Sequence, residues 1–222
     1  MQIESAKVSA LGDREDNQDR AAVVMSEDAA LMLVFDGMGG LSDPQGFLYM
    51  ALSRAHDSVV ALGTDVDVDF RPRATCALCL VQEGFAFWAH VGDSRIYQVR
   101  NEQVLTRSRD HSHVEVLIQE GAITEEEAQD HPMRNFVECC IGGDMPVPDM
   151  SITAGKKLLP GDVLLACTDG LWSGLSDTDV AAIGKPGEEN LAANLKALSM
   201  KALSTNSPYS DNTSGTALRW HG

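Results

Sequence analysis

Basic residues are scarce in this sequence. The 222-residue chain has 17 Lys and Arg against 33 Asp and Glu, which gives a formal net charge of -16 at pH 7. Nucleic acids and anionic lipid head groups bind through clusters of Lys and Arg. The basic clusters in this sequence are short, for example residues 71–73 and 107–109. We therefore expect neither a nucleic acid nor a membrane surface as a partner.

Long apolar segments are also lacking. The longest apolar runs, such as residues 29–35, are far too short to span a bilayer. The beginning of the sequence has no basic stretch followed by an apolar one, so it does not resemble a secretory signal. The five cysteines are an odd number without the spacing of a disulfide framework, which is typical of a reducing compartment. These absences predict a cytoplasmic protein.

A zinc site is not indicated by the cysteines either. Cys76 and Cys79 form a C-x-x-C pair, but they lie in a strand-like run, where positions three apart face opposite sides. No second pair completes a zinc site, so the sequence predicts structural cysteines.

The order of the apolar segments predicts an α+β fold class. Most predicted strands follow one another through hairpin turns, and the helices are inserted in pairs, which favours antiparallel sheets covered by helices. No linker or repeat divides the chain, so we expect one domain over residues 1–222. The predicted strands cover residues 3–11, 20–25, 29–35, 74–81, 85–91, 95–99, 103–105, 150–153, 163–167 and 215–220, and the predicted helices lie near 46–62, 111–130 (two short helices), 178–183 and 188–203.

Several aspartates share one context, the end of an apolar strand beside a glycine or a sharp turn. They are Asp36, Asp93, Asp169 and Asp211, and a further acidic cluster at residues 13–19 follows the first predicted strand. Converging carboxylates repel one another unless cations neutralise them, and oxygen ligands without His or Cys select Mg²⁺ or Mn²⁺. Taken alone, an aspartate followed by glycine after a strand is more often an ordinary turn residue. Together they predict a divalent metal site formed by several carboxylates.

Arg14 is the one cation inside the first acidic cluster. Its guanidinium could hold a phosphate through two hydrogen bonds beside metal ions. The alternative is a surface arginine that balances the neighbouring acidic residues.

Seven motifs, in order over most of the chain, resemble the type 2C metal-dependent serine/threonine protein phosphatases in their compact bacterial form. They are R-E-D-N-Q-D (14–19), V-F-D-G-M-G-G (34–40), V-G-D-S-R-I-Y (91–97), L-T-R-S-R-D-H-S (105–112), H-P-M-R-N (131–135), L-L-A-C-T-D-G-L-W (164–172) and S-D-N-T (210–213). The resemblance implies a four-layer α-β-β-α sandwich, in which two packed antiparallel β-sheets are flanked by helices. It also implies a mobile flap at about residues 123–145.

The resemblance also implies a metal centre of two or three Mn²⁺ or Mg²⁺ ions. Asp36 matches the residue that bridges two metals and Arg14 matches the phosphate-binding arginine, and these two are the expected catalytic residues. The expected metal ligands are Asp19, Asp36, Gly37 (through its carbonyl), Asp93, Asp169 and Asp211, with Asp93 and Asp169 at the weaker third position.

The implied activity is the hydrolysis of phosphoserine and phosphothreonine by direct attack of a hydroxide that bridges the metals. The implied partner is a phosphorylated protein, the substrate of a bacterial serine/threonine kinase, and we expect a monomer. Because Met38 stands where many eukaryotic members have a histidine, the leaving group must take its proton from water or elsewhere. His111 and His113 are candidates, although structural roles are commoner for such histidines.

Three alternatives differ in function. The same centre could act on a small regulatory phosphoprotein of a partner-switching pathway. A pseudophosphatase would only bind partners, but such proteins typically lose metal ligands, and all the matched aspartates are present here. A calcium-binding structural module is disfavoured because the sequence has no D-x-[DN]-x-[DN]-G loop.

Overall fold

The computed structural model of the protein describes residues 20–25, 30–35, 43–143, 146–185 and 191–222. By its internal contacts the chain divides into two compact units, Met1–Ser42 and Asp43–Gly222. The first unit contains an antiparallel hairpin of β1 (Arg20–Met25) and β2 (Ala30–Phe35). The strand predicted at residues 3–11 lies outside the described residues.

In its described residues, the second unit contains two four-stranded antiparallel sheets, one short two-stranded sheet and six α-helices. The strands are β3 (Arg73–Ala74), β4 (Cys76–Gln82), β5 (Phe85–Val91), β6 (Arg95–Arg100), β7 (Gln103–Arg107), β8 (Ile141–Gly142), β9 (Ser151–Ile152), β10 (Lys156–Lys157), β11 (Val163–Cys167) and β12 (Gly215–Arg219). The helices are α1 (Pro44–Leu62), α2 (His113–Gln119), α3 (Glu125–Gln129), α4 (Asp169–Trp172), α5 (Asp177–Ala181) and α6 (Leu191–Thr205). One sheet consists of β10, β5 and β4, with β9 also paired to β5, and the other has the order β12-β11-β6-β7.

The central strands β5, β6 and β11 are buried on both faces, and their side chains alternate between two apolar cores. Ala86 and Trp88 of β5 pack with Ile96 of β6 and Leu164 of β11, and so form the core between the sheets. On the outer side of the first sheet, the opposite face of β5 packs against α1. These residues form a second core, in which Leu52 is fully buried. In the second unit, α1 therefore forms one outer layer over the two packed sheets.

The other outer core lies against the second sheet. Tyr97 of β6 and Leu165 of β11 face away from the first sheet and pack with Leu171, Val180 and Leu198 from the helices α4, α5 and α6. This layer completes the sandwich and confirms the predicted fold class. No helix in the described ranges is both long and apolar enough to cross a bilayer.

Most predicted elements of the second unit are confirmed, with a few differences at short elements. α1 begins earlier than predicted, because the Asp43 side chain accepts a hydrogen bond from the Gly46 N–H at 2.8 Å and Pro44 occupies the first helical position. The helix α4 is missing from the prediction, since four residues are too few to show a helical period. The strand β10 was also missed, because its two exposed lysines show no apolar alternation.

Candidate metal centre

Strand register brings Asp93 and Asp169 to the same edge of the second sheet. In the antiparallel pair of β6 and β11, Arg95 lies opposite Cys167. Asp93 lies two residues before Arg95, and Asp169 lies two residues after Cys167. Both aspartates therefore lie just beyond the end of this ladder, on neighbouring strands.

The electrostatics of Asp93 reflect this proximity. Burial raises the pKa of its carboxyl to about 6, and the negative charges of Asp169 and Asp110 add to the rise. Two half-buried carboxylates at one edge raise the free energy of each other's charged form. A bound cation would remove that cost.

Asp211 lies in the loop that leads into β12, and that loop packs on the start of α4. The Thr168 N–H donates to the Ser214 carbonyl at 3.0 Å, and the Ser214 N–H donates to the Thr168 hydroxyl at 3.1 Å. The Thr213 hydroxyl also donates to the Gly170 carbonyl at 3.0 Å. These bonds hold the Asp211 loop beside the turn that carries Asp169.

Gly170 permits this close approach. A Cβ atom at this position would overlap the carbonyl oxygen of Asn212 and lie 3.2 Å from that of Asp211. A glycine directly after Asp169 therefore lets the backbone of the Asp211 loop lie against the first turn of α4.

The donors at this edge fit a hard divalent cation. One oxygen of Asp169 accepts the Gly170 N–H at 2.8 Å, and one oxygen of Asp211 accepts the Asn212 N–H at 2.6 Å. Among the ion pairs of the described residues, none includes Asp93, Asp169 or Asp211. Carboxylate oxygens are the ligands that Mg²⁺ and Mn²⁺ prefer.

The described residues do not make a complete site by themselves. Within them, no group of three or more His, Cys, Asp or Glu is arranged to hold a metal ion. The other predicted site residues, Arg14, Asp19, Asp36 and Gly37, lie outside the described residues. Asp19 directly precedes β1 and Asp36 directly follows β2 in the sequence, and the register of that hairpin pairs Arg20 with Phe35.

Three residues to which the sequence assigned no role surround the Asp93 loop. The Trp172 indole N–H, at the end of α4, donates to the Asp93 backbone carbonyl at 2.9 Å. The Arg95 guanidinium carbon lies 3.4 Å from the centre of a Trp172 ring. Two nitrogens of the same guanidinium, Nε and Nη2, donate to the Asp110 carboxylate at 2.8 and 2.7 Å. All three residues lie in the quoted motifs, but their contact joins separate parts of the chain, and no spacing in the sequence indicates it.

The two candidate histidines have structural partners. One ring nitrogen of His111 accepts the Gly92 N–H at 3.4 Å, and the other lies 2.8 Å from the Ser151 hydroxyl. The ring also stacks on buried His90, with 4.7 Å between ring centres. His113 pairs with Glu138 at 3.0 Å. These contacts favour the structural interpretation of both histidines.

The predicted flap begins with a helix whose acidic residues have a partly structural explanation. The Thr124 side chain accepts the Glu127 N–H, and the Glu127 carboxylate accepts the Thr124 N–H at 2.8 Å, which forms a capping box. Glu125 and Glu126 are exposed in the first turn of α3. Exposed carboxylates at this position interact favourably with the helix dipole, and they would also attract a substrate with basic residues.

Curated relatives resemble this chain in sequence, while no protein-family model matches it. A putative 2C-type protein phosphatase of Streptococcus pyogenes is 35% identical over 144 residues, which are 64% of this chain and 57% of the relative. The serine/threonine protein phosphatase PstP of Mycobacterium tuberculosis is 30% identical over 159 residues, which are 69% of this chain and 30% of PstP. The chain thus spans less than two thirds of the length of these relatives.

Solved structures show the same fold. The serine/threonine phosphatase of S. agalactiae has a TM-score of 0.68 and 26% identity, over 96% of this chain and 98% of that one. The catalytic domain of PstP, solved with two manganese ions, has a TM-score of 0.60 and 24% identity, over 95% of this chain and 94% of that one. The predicted resemblance to the bacterial type 2C serine/threonine phosphatases is confirmed in sequence and in fold.

Proposed function

We propose that the protein is a Mn²⁺- or Mg²⁺-dependent phosphatase of phosphoserine and phosphothreonine in proteins. The observation that carries the proposal is the placement of Asp93, Asp169 and Asp211 at one edge of the sandwich, in a chain that resembles protein phosphatases. Asp93 and Asp169 are half-buried and form no ion pair with the other described residues, so their charged forms are costly to keep, and a divalent ion would relieve that cost.

We further propose the roles that the family resemblance implies. Asp36, Asp169 and Asp211 would hold one ion, and Asp36, Asp19 and the Gly37 carbonyl would hold a second. Asp93 and Asp169 share the third position. Bound at these ligands, divalent ions make hydroxide available at neutral pH for direct attack on phosphorus.

Arg14 has a different role in this proposal. Its planar guanidinium holds the phosphoryl oxygens through two hydrogen bonds and offsets the charge that develops on them. The 222 residues act as one catalytic domain in the cytoplasm, with residues 123–145 as a flap beside the centre. The substrate is a protein phosphorylated by a bacterial-type kinase.

The first experiment measures hydrolysis of p-nitrophenyl phosphate and of a phosphothreonine peptide with Mn²⁺ and with EDTA. We expect activity with Mn²⁺, none with EDTA, and a loss of roughly 100-fold or more in Asp36→Asn, since a group that stabilises transition-state charge is worth about 10²–10³-fold. Asp57→Asn, the same change on the exposed surface of α1, is the control and should leave the rate unchanged. If wild-type protein is folded and binds no Mn²⁺, the proposal is wrong.

A further inference from the structure

We infer that Trp172 is a positioning residue for the Asp93 loop, held in place by Arg95 and Asp110. This inference rests on the proposed function, because it concerns how tightly Asp93 and Asp169 hold a divalent ion. It assigns a role in that site to a side chain that is not itself a ligand.

Trp172 links the two loops that carry the predicted ligands. It is the last residue of α4, the helix that begins at Asp169, and its indole N–H donates to the backbone carbonyl of Asp93 at 2.9 Å. One side chain therefore connects the helix of Asp169 to the chain of Asp93. Loss of this bond would remove a direct tie between Asp93 and α4, and the Asp93 loop would then depend on the hydrogen bonds of Gly92 and Ser94.

The indole ring is itself fixed by a buried ion pair. The Arg95 guanidinium lies on the ring, and it is held by two hydrogen bonds to Asp110 and one of 3.2 Å to the Tyr97 hydroxyl. The side chains of Arg95 and Asp110 are 16% and 6% exposed. A guanidinium held in this way can occupy only a small set of orientations, so the ring stacked on it is also restricted.

Positioning is important here because metal affinity depends on ligand geometry. Residues that orient ligands without touching the metal commonly contribute about 10–100-fold to affinity. Trp172 contacts a backbone carbonyl rather than a carboxylate, so its contribution to metal affinity should lie at or below the lower end of this range. We expect a loss of roughly three- to tenfold, as for one lost hydrogen bond.

The test uses Trp172→Phe, which removes the N–H donor and keeps an aromatic ring for Arg95. Trp220→Phe is the matched control, because Trp220 packs in the core between the sheets near Gly84, at the opposite end of β5 from Asp93. Mn²⁺ binding is followed by calorimetry in both variants, in wild-type protein and in Asp93→Asn. We expect the binding event that Asp93→Asn removes to be three- to tenfold weaker in Trp172→Phe and unchanged in Trp220→Phe.

A second readout does not need the metal. In metal-free protein, Trp172→Phe should increase hydrogen exchange in a peptide covering residues 91–95, and Trp220→Phe should not. If Trp172→Phe does not fold, Arg95→Lys provides the test, since it keeps the charge and loses the planar fork that holds the ring.

The outcomes separate this inference from the proposed function. Suppose that Trp172→Phe binds Mn²⁺ and exchanges hydrogen as wild type does, while Asp93→Asn loses a binding event. That result would overturn the inference and leave the proposed function intact. Equal changes in both tryptophan variants would overturn the inference as well. If wild-type protein binds no Mn²⁺, the proposed function fails, and the exchange measurement alone decides whether Trp172 holds the loop.

Discussion

Asp162 is a fully buried carboxylate, far along the strands from the candidate metal centre. It lies just before β11 and accepts hydrogen bonds from four donors: two of Arg100 at 2.6 and 2.7 Å, Gln98 Nε2 at 3.0 Å and the Leu159 N–H at 3.1 Å. These bonds tie the end of β6 to the turn that precedes β11. Asp162 therefore has a structural role, in contrast to the three aspartates at the opposite end.

We predict that Asp162→Asn lowers the free energy of unfolding by about 2–4 kcal/mol, since breaking a buried ion pair by removing one partner is strongly destabilising. Urea denaturation at pH 7 measures the difference. Asp177→Asn, at an exposed position of α5, is the control and should change stability by about 0.5 kcal/mol or less. A loss below about 1 kcal/mol in Asp162→Asn would contradict the structural role.

The same residue predicts a pH dependence. Burial acts to raise the pKa of Asp162, but the hydrogen bonds from Arg100, Leu159 and Gln98 outweigh it, and the pKa lies below its ordinary value. A carboxyl with a lowered pKa stabilises the fold fully above its unfolded-state pKa of about 3.9, and that stability is lost as the pH falls through the folded-state value. We therefore expect the difference in stability between wild type and Asp162→Asn to shrink below about pH 4. Denaturation curves at pH 7, 5 and 3 measure this difference. A difference that grows on acidification would contradict a lowered pKa of Asp162.

At the scale of elements, α4 carries Asp169 and packs against the Asp211 loop through Gly170. We predict that Gly170→Ala destabilises the protein by about 1–3 kcal/mol, since extra atoms in a filled space force the backbone to move. It should also weaken Mn²⁺ binding, because the Asp211 loop must shift away from Asp169. Calorimetry and thermal denaturation measure the two effects.

Gly121→Ala is the control for this prediction. Gly121 has a φ of +72° and no atom within 4 Å of an added Cβ, so alanine there costs backbone strain alone, about 1–2 kcal/mol. Its Mn²⁺ affinity should equal that of wild type. Wild-type affinity in Gly170→Ala would show that the Asp211 loop does not depend on this contact.

The elements that the sequence predicted well are apolar runs bounded by polar turns, and those it missed are too short to show a pattern. β5 and β11 were predicted at their observed bounds, because their apolar runs end at polar turns. The placement of Asp93 and Asp169 at one edge followed from their shared context at strand ends. The contact of Trp172 with Arg95 could not be predicted, because it depends on which strands are neighbours in the sheet.

At the scale of the whole molecule, the three apolar cores of the second unit contain none of the site aspartates. Folding of this unit therefore does not need a metal. We expect the far-ultraviolet circular dichroism spectrum to be the same in EDTA and in Mn²⁺. Loss of secondary structure in EDTA would contradict this expectation.

Metal binding should nevertheless raise the thermal stability. At a Mn²⁺ concentration 100 times Kd, binding to the native state alone adds about 2.7 kcal/mol, which corresponds to an increase in Tm of about 5–10 °C for a chain of this size. Asp93→Asn combined with Asp169→Asn should reduce the increase. An equal increase in this double variant would place the bound ion elsewhere.

Because of the register of β6 and β11, the two ends of the sandwich should differ in how well they tolerate insertions during evolution. One extra residue between Asp93 and Arg95 would displace a ligand, and one within β6 would turn its core side chains toward the wrong layer. The turns that join β4 to β5 and β6 to β7 lie at the other end of the same strands. In descendants of this chain, insertions and grafted segments should therefore accumulate at those turns, while the end with the aspartates keeps its length.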